Sequence, residues 1–366
     1  MHSPSLTWTP PVARRAPRAR QAARTQVTLE ALWSARARMG PIEHVDVVDL
    51  FCGAGGFTEG ARRCGHRVVL AVDSDPVALK AHAANHSDVR HERLTLPDPQ
   101  LHALLPPPHV CWHAHGSPPC TKLSVAGGTN RSSEDRVAGM RLVVWFLDFV
   151  AAATCASWSL EQVAQEDVLA ELEARRRADP SRYAYEVVRM DHYGVPQTRK
   201  RVIAGSPWLI SRMRDRAEPL SVPRIADVLP HFPANAVGIK GRRYTLGHRW
   251  AKVWAKAFNK AENKVPLERR IKKGGLRAPA PTLICSAPHR WADAAGNTVA
   301  CLTVREHAVL QTLGANYVLP CTYNDAVRLI GNCIPPLFVE RIMAAYRRPV
   351  GAGGHAHTGP SGPSLD

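Results

Sequence analysis

The residues best suited to chemistry sit at the ends of apolar runs. Gly116-Ser117-Pro118-Pro119-Cys120 closes one of them, Val110–His115. Two prolines fix the backbone before the cysteine and, if the run is a strand, leave the thiol at the carboxyl edge of a sheet, where ligands bind. A thiolate there can act as a nucleophile. A cysteine without such a setting is more often a small buried hydrophobe. Gly127, Gly128 and polar residues through Asp135 follow, a composition suited to a mobile lid. Upstream, Val45–Leu50 runs through Phe51 into Cys52-Gly53-Ala54-Gly55-Gly56. Small residues let the backbone approach a ligand, and a helix starting there presents free N–H groups. Asp73 ends the next apolar run, where an α/β nucleotide fold places a carboxylate to accept from ribose hydroxyls. The glycines do not read G-x-G-x-x-G, so an adenosine-type cofactor is expected rather than a dinucleotide. The alternative is a glycine turn needed only for packing.

These positions require a particular scaffold. Val45–Leu50 as strand, helical spacing from Phe57 to about Cys64, and Arg67–Val72 as a second strand make a βαβ unit, hence a parallel sheet. Val110–His115 and Trp158–Val163 fit further strands, with Met140–Ala153 as a helix between them. The fold class expected is α/β with a Rossmann-like large domain. With 366 residues, 45% hydrophobic and 22% charged, the chain has the balance of a soluble globular protein of one or two domains. It contains no run of 18 apolar residues, so no membrane partner is expected, and no secretory signal is read in the first 40 residues. Nine cysteines without a C-x-x-C pair argue against a disulfide framework and a structural zinc. No metal is expected, and reduced thiols suit a cytoplasmic protein.

The net charge of +17 is localised. Residues 1–40 hold seven Arg against one acid, and 206–280 hold 17 Lys or Arg against five acids. Seven of the ten lysines lie between Lys240 and Lys273. A polyanion is the natural partner for such a block, a solvated basic face being the alternative.

Taken in order, several segments resemble motifs of the cytosine-5 DNA methyltransferases. They are Asp49-Leu50-Phe51-Cys52-Gly53-Ala54-Gly55-Gly56-Phe57, Pro118-Pro119-Cys120, Glu161-Gln162-Val163 and Gln197-Thr198-Arg199-Lys200-Arg201. Leu302-Thr303-Val304-Arg305-Glu306 and Gly331-Asn332-Cys333-Ile334-Pro335-Pro336 complete the series, and the resemblance runs from about Val45 to Arg347. It implies transfer of a methyl group from S-adenosylmethionine to C5 of a cytosine flipped out of double-stranded DNA. Cys120 would add to C6, a protonated Glu161 would bond N3, and Arg201 with Arg199 would grip O2 and nearby phosphates. The apolar strand residues Trp158–Leu160 would help Glu161 keep its proton. Asp49, Phe51, Gly53, Gly55, Asp73, Pro119 and Asn332 would form the cofactor pocket. The basic block stands where the family carries its target-recognition region, making Lys240, Arg242, Arg243, Arg249 and Lys252 candidate DNA contacts.

The implied organisation is a basic disordered arm over 1–40, a catalytic domain over 41–205 and a small domain over 206–322, with its recognition region at about 206–280. Residues 323–348 return to the catalytic domain, and 349–366 form a tail. One chain holds both sets of elements, so a monomer is expected. The sequence departs from the family at Thr121, where Gln is usual, at Gln162, where Asn is usual, and at Ala300, where Arg is usual. The acidic residue of the third motif has no clear counterpart near Glu92-Arg93-Leu94. An RNA substrate, or transfer of a modified methyl group, is the alternative reading.

Overall fold

The computed structural model describes residues 44–119, 133–215, 222–240, 275–286, 288–294, 297–314 and 316–346. The expected arm, most of the basic block and the tail lie outside the described residues.

The chain opens with β1 (Asp46–Leu50), α1 (Gly56–Arg63), β2 (Arg67–Asp73), α2 (Pro76–Asn85) and β3 (Arg90–Arg93). It continues through β4 (Trp112–Gly116), α3 (Ser133–Ala152), β5 (Ser157–Gln162), α4 (Glu166–Ala178) and β6 (Ala184–Arg189). Strands β7 (Gln197–Thr198) and β8 (Lys200–Gly205) and helix α5 (Pro207–Asp215) complete the larger part. The smaller part holds β9 (Gly238–Lys240), β10 (Ala280–Pro281), β11 (Arg290–Ala292), β12 (Thr298–Cys301) and α6 (Val304–Leu310). Helices α7 (Tyr323–Asn332) and α8 (Pro336–Met343) then return to the large sheet.

That sheet has seven strands in the order β3-β2-β1-β4-β5-β8-β6. β1 to β5 pair in parallel, and β8 runs antiparallel to β5 and β6. The chain winds outward from β1 to β3, then crosses back to place β4 on the other side of β1. This reversal opens a crevice at the carboxyl ends of β1 and β4, the site at which such sheets take ligands.

Both faces of the sheet are covered, which explains why its strands read as near-continuous apolar runs. Phe57, Phe338 and Ile342 pack on one face, and Leu50, Trp112, Phe146 and Leu160 on the other. Each fully buried side chain of this size contributes about 1.5–3 kcal/mol, so the strand ends are anchored to a stiff platform. The first face carries a polar row. His113 and His115 of β4 bond to Ser157 and Ser159 of β5 at 2.8–2.9 Å, and the Phe57 ring stacks on His115 at 3.5 Å. Burial depresses both histidines, His113 to about 3.

α8 lies directly against α1. A Cβ on Gly60 would fall 2.5 Å from the Pro336 carbonyl and from Val339. Arg63 adds bonds to Glu340 and to the Thr312 carbonyl.

Candidate functional site

A cavity of about 340 Å³ opens at the crevice. Phe51, Asp73, Pro119, Glu161, Arg199 and Asn332 are among its walls, contributed by the ends of β1, β2, β4 and β5, the strand pair β7–β8, and α7.

At one end the glycine turn is tied to β2. Cys52 N donates to the Val72 carbonyl at 3.0 Å, and Gly53 N donates to Asp73 Oδ2 at 2.8 Å. The other carboxylate oxygen, Asp73 Oδ1, accepts from Asp75 N at 2.9 Å. Burial pushes Asp73 above the usual carboxylate range, against the pull of these N–H bonds. Phe51 holds φ +60, a left-handed conformation uncommon outside glycine and typical of strained functional sites. Asp75 caps α2 by accepting from Val77 N at 2.9 Å and pairs with Arg328 of α7 at 2.6 Å. This wall of the cavity is therefore closed by a residue far along the chain.

At the other end stands Glu161, the next-to-last residue of β5 and 7% exposed. Its Oε1 lies 3.0 Å from Arg201 Nε and 3.8 Å from Arg199 Nε. The carboxylate therefore faces guanidinium groups and not the apolar surroundings expected from Trp158–Leu160. Strand alternation explains the difference: Trp158 and Leu160 point to the opposite face, into the α3 side of the core. Arg199 is 1% exposed, and its Nη1 bonds the Leu283 and Gly331 carbonyls at 3.4 and 3.1 Å. It lines the cavity while tying the smaller part of the fold to the end of α7.

Gln162, a departure from the expected Asn, is completely buried. Its Nε2 donates to the Pro118 carbonyl at 3.0 Å, and its Oε1 accepts from Val163 N at 2.8 Å. The longer amide thereby fastens the Pro-Pro segment to the end of β5. Ser117 N also donates to the Leu50 carbonyl at 3.2 Å, joining that segment to β1.

The cavity brings together Phe51, Gly53, Asp73, Pro119, Asn332, Glu161 and Arg199. Three residues expected at the catalytic or cofactor site lie off its wall. Asp49 is buried behind it, accepting from Thr58 Oγ1 at 2.8 Å, and burial lifts its carboxyl to about 7. Thr58 in turn receives a bond from His82 Nε2 at 3.0 Å. Asp49 thus braces β1 against α1 and α2. Gly55 faces Tyr317 and the rings of His82 and His86, and Arg201 reaches the site through Glu161. Cys120, Arg242, Arg243, Arg249 and Lys252 lie outside the described residues, as do Thr121 and the expected lid up to residue 132. Lys240 ends β9, opposite Arg290 of β11.

Asp75, Cys285, Arg328 and Cys333 line the cavity without having been singled out from the sequence. Asp75-Pro76 is a helix-start signature two residues after Asp73, and Arg328 stands one helical turn before Asn332. Either signal could have identified its residue. Burial raises the Cys333 thiol to about 12 and Cys52 well above its usual value, so neither of these wall thiols is a ready thiolate.

Among the described residues no helix is long and apolar enough to cross a membrane. None of their His, Cys, Asp and Glu side chains form a group of three or more that could hold a metal ion. Residues 45–165 match the family described as C-5 cytosine-specific DNA methylase. Over 167 residues the chain is 34% identical to the type II methyltransferase M.AgeI of Thalassovita gelatinovora, covering 42% of this chain and 38% of that protein. Over 329 residues it is 26% identical to M1.HphI of Haemophilus parahaemolyticus, covering 81% of this chain and 85% of that one. The chain therefore spans well under half of the first relative and most of the second. In fold it resembles a DNA modification methyltransferase encoded within a prophage of E. coli, with a TM-score of 0.54 at 20% identity over 82% of this chain and 98% of that one.

Proposed function

We propose that the chain, whose residues 45–165 match the family described as C-5 cytosine-specific DNA methylase and which is similar to type II methyltransferases, methylates C5 of cytosine in a short specific sequence of double-stranded DNA, as the modification enzyme of a type II system. One observation carries the reading. A single cavity joins a glycine turn and ribose-height carboxylate at one end to a carboxylate–guanidinium pair at the other, beside the Pro-Pro segment that leads into Cys120.

The first end fits S-adenosylmethionine. Each oxygen of Asp73 accepts one backbone N–H and keeps a lone pair for a ribose hydroxyl. Phe51, Pro119 and Leu329 offer apolar surface, and Asn332 a polar contact. When bound, the cofactor supplies a methyl group on a sulfonium, open to attack by a carbon nucleophile. The volume of about 340 Å³ lies within the range of small-molecule sites.

Cytosine C5 is a weak nucleophile, and the protein's residues must activate it. The Cys120 thiolate bonds to C6, and the electron pair displaced from the C5–C6 double bond makes C5 nucleophilic. Glu161, carrying a proton when the base is bound, donates a hydrogen bond to N3 and limits the charge that addition places on the ring. Arg201 orients the Glu161 carboxyl from 3.0 Å and presents its remaining donors to the base and phosphates. Methyl transfer to C5 would break the methyl–sulfur bond and leave S-adenosylhomocysteine; loss of the C5 proton to a base and breakage of the Cys120–C6 bond then restore the aromatic ring. The basic residues Lys240, Arg242, Arg243, Arg249 and Lys252 hold the duplex by its phosphates, and flipping brings the cytosine to the cavity.

The test is covalent trapping on duplex DNA that contains 5-fluorocytosine. Fluorine blocks the final proton loss, so a denaturant-stable protein–DNA adduct is expected, with Cys120 as the modified residue. Cys120→Ser should form no adduct and lose turnover while binding cofactor within a few-fold of the unaltered chain. Cofactor binding without an adduct on DNA, but with one on 5-fluorocytosine RNA, would overturn the DNA assignment.

A further inference from the structure

The Ala54–Gly55 peptide is held at both polar ends. Its N–H donates to the Cys52 carbonyl at 2.9 Å. Its carbonyl accepts from the hydroxyl of Tyr317, 263 residues further along, in the connection between α6 and α7. His86 Nε2, at the end of α2, lies 3.2 Å from the same hydroxyl. The phenol proton points to Ala54, so the imidazole is the donor in this second bond. Burial keeps His86 neutral, pushing it down to about 4. An Nε2–H tautomer agrees with Nδ1 having no hydrogen-bond partner among the described residues.

Gly55 explains why such a clamp is needed. Its φ is +92, and a Cβ there would lie 2.8 Å from the Tyr317 oxygen and 3.0 Å from the rings of His82 and His86. A side chain is excluded, yet glycine takes positive and negative φ about equally well. Gly55 therefore does not itself oppose rotation of the peptide that precedes it. Resistance comes from the two hydrogen bonds, one internal to the turn and the other from Tyr317. Of the turn's other links, Cys52 N to Val72 and Gly53 N to Asp73 secure its first half, and Glu59 N to the Gly55 carbonyl at 2.8 Å holds the peptide after Gly55; none of the three bonds the Ala54 carbonyl.

We propose that Tyr317 is a positioning residue for the cofactor-binding turn: its hydroxyl fixes the Ala54–Gly55 peptide and so the direction in which the turn meets the cofactor. The proposal rests on the cavity being the S-adenosylmethionine site. It assigns control of cofactor affinity to a residue outside the cavity wall. The Glu161 end is untouched by this clamp, so cofactor binding should change without the later steps.

Tyr317→Phe removes the hydroxyl and keeps the ring. Calorimetric titration with S-adenosylhomocysteine should show the dissociation constant rising about 10-fold, as for a lost buried hydrogen bond. At saturating cofactor, kcat and the KM for DNA should stay within twofold. An unchanged dissociation constant would overturn the proposal. So would a fall in kcat with the cofactor constant unmoved, the pattern of general packing loss. If Tyr317→Phe is insoluble, His86→Gln keeps the phenol but removes its ring partner. A smaller rise of the same sign is then expected, and no rise would overturn the clamp. Failure of the unaltered chain to bind S-adenosylhomocysteine would overturn the cofactor reading, a result distinct from equal binding by both chains.

Discussion

At the scale of single residues, the site turns on what faces Glu161. The carboxylate lies 3.0 Å from Arg201 in a nearly closed setting, where an ion pair is little screened by solvent, although Glu161 Oε1 and Arg201 Nε do not meet in hydrogen-bonding geometry. Glu161→Gln keeps the shape and a donor for N3 but removes the acid and the partner of Arg201. The proposed chemistry then slows, with kcat falling about 10²-fold while cofactor affinity holds. Single-turnover methylation would check this, and an unchanged rate would remove Glu161 from the mechanism. Residue type and order sufficed to nominate Glu161 from the sequence, but not to describe its surroundings. Its guanidinium neighbours come from β8 (Arg201) and the residue just before it (Arg199), through pairing in which Glu161 stands opposite Ile203. Sequence neighbours on a strand alternate between faces, so they are a poor guide to what a side chain touches. Asp49 teaches the same lesson: it shares a motif with Phe51 yet braces α1 through Thr58.

At the scale of elements, the strands and helices around the site were legible because each combines a buried run with a turn signal. The helix expected from Phe57 to Cys64 is α1 at Gly56–Arg63, and the run Trp158–Val163 is β5 at Ser157–Gln162. The helix expected over Met140–Ala153 begins earlier, at Ser133, since its first turns lack the apolar pattern that marks the remainder. Apart from the return of residues 323–348 that the family resemblance implied, contacts between distant elements were not legible, because no local pattern encodes them. Gly331 is the clearest case. A Cβ there would lie 2.5 Å from Cys285 N and 2.5 Å from the Ile284 carbonyl carbon, so α7 and the segment after β10 meet backbone to backbone. Gly331→Ala should destabilise the fold by about 1–3 kcal/mol through overpacking, read as a lower denaturant midpoint. An unchanged midpoint would show that the two segments part without cost.

At the scale of the whole molecule, buried histidines set the response to acid. His82, His86, His91, His113, His115, His289 and His307 are all depressed from the usual imidazole value, chiefly by burial. Below about pH 6.5 the unfolded chain takes up protons that these groups refuse in the folded state, so stability falls as pH falls. Asp49 and Asp73 are raised and act in the opposite sense, losing stability as pH rises, but the histidines outnumber them. Melting temperature should drop steadily between pH 6.5 and 4, and a flat profile would mean that the buried rings accept protons in place. The return of α7 and α8 has a consequence for biosynthesis. Chains fold from the N-terminus as they are made, and β1 to β5 emerge with their glycine turn and Asp73 in place. Arg328, Asn332 and the helix that covers Gly60 are translated last among these parts. A nascent chain that has not yet reached α7 and α8 thus lacks one side of its cavity, and the cavity is complete only once those helices have been made.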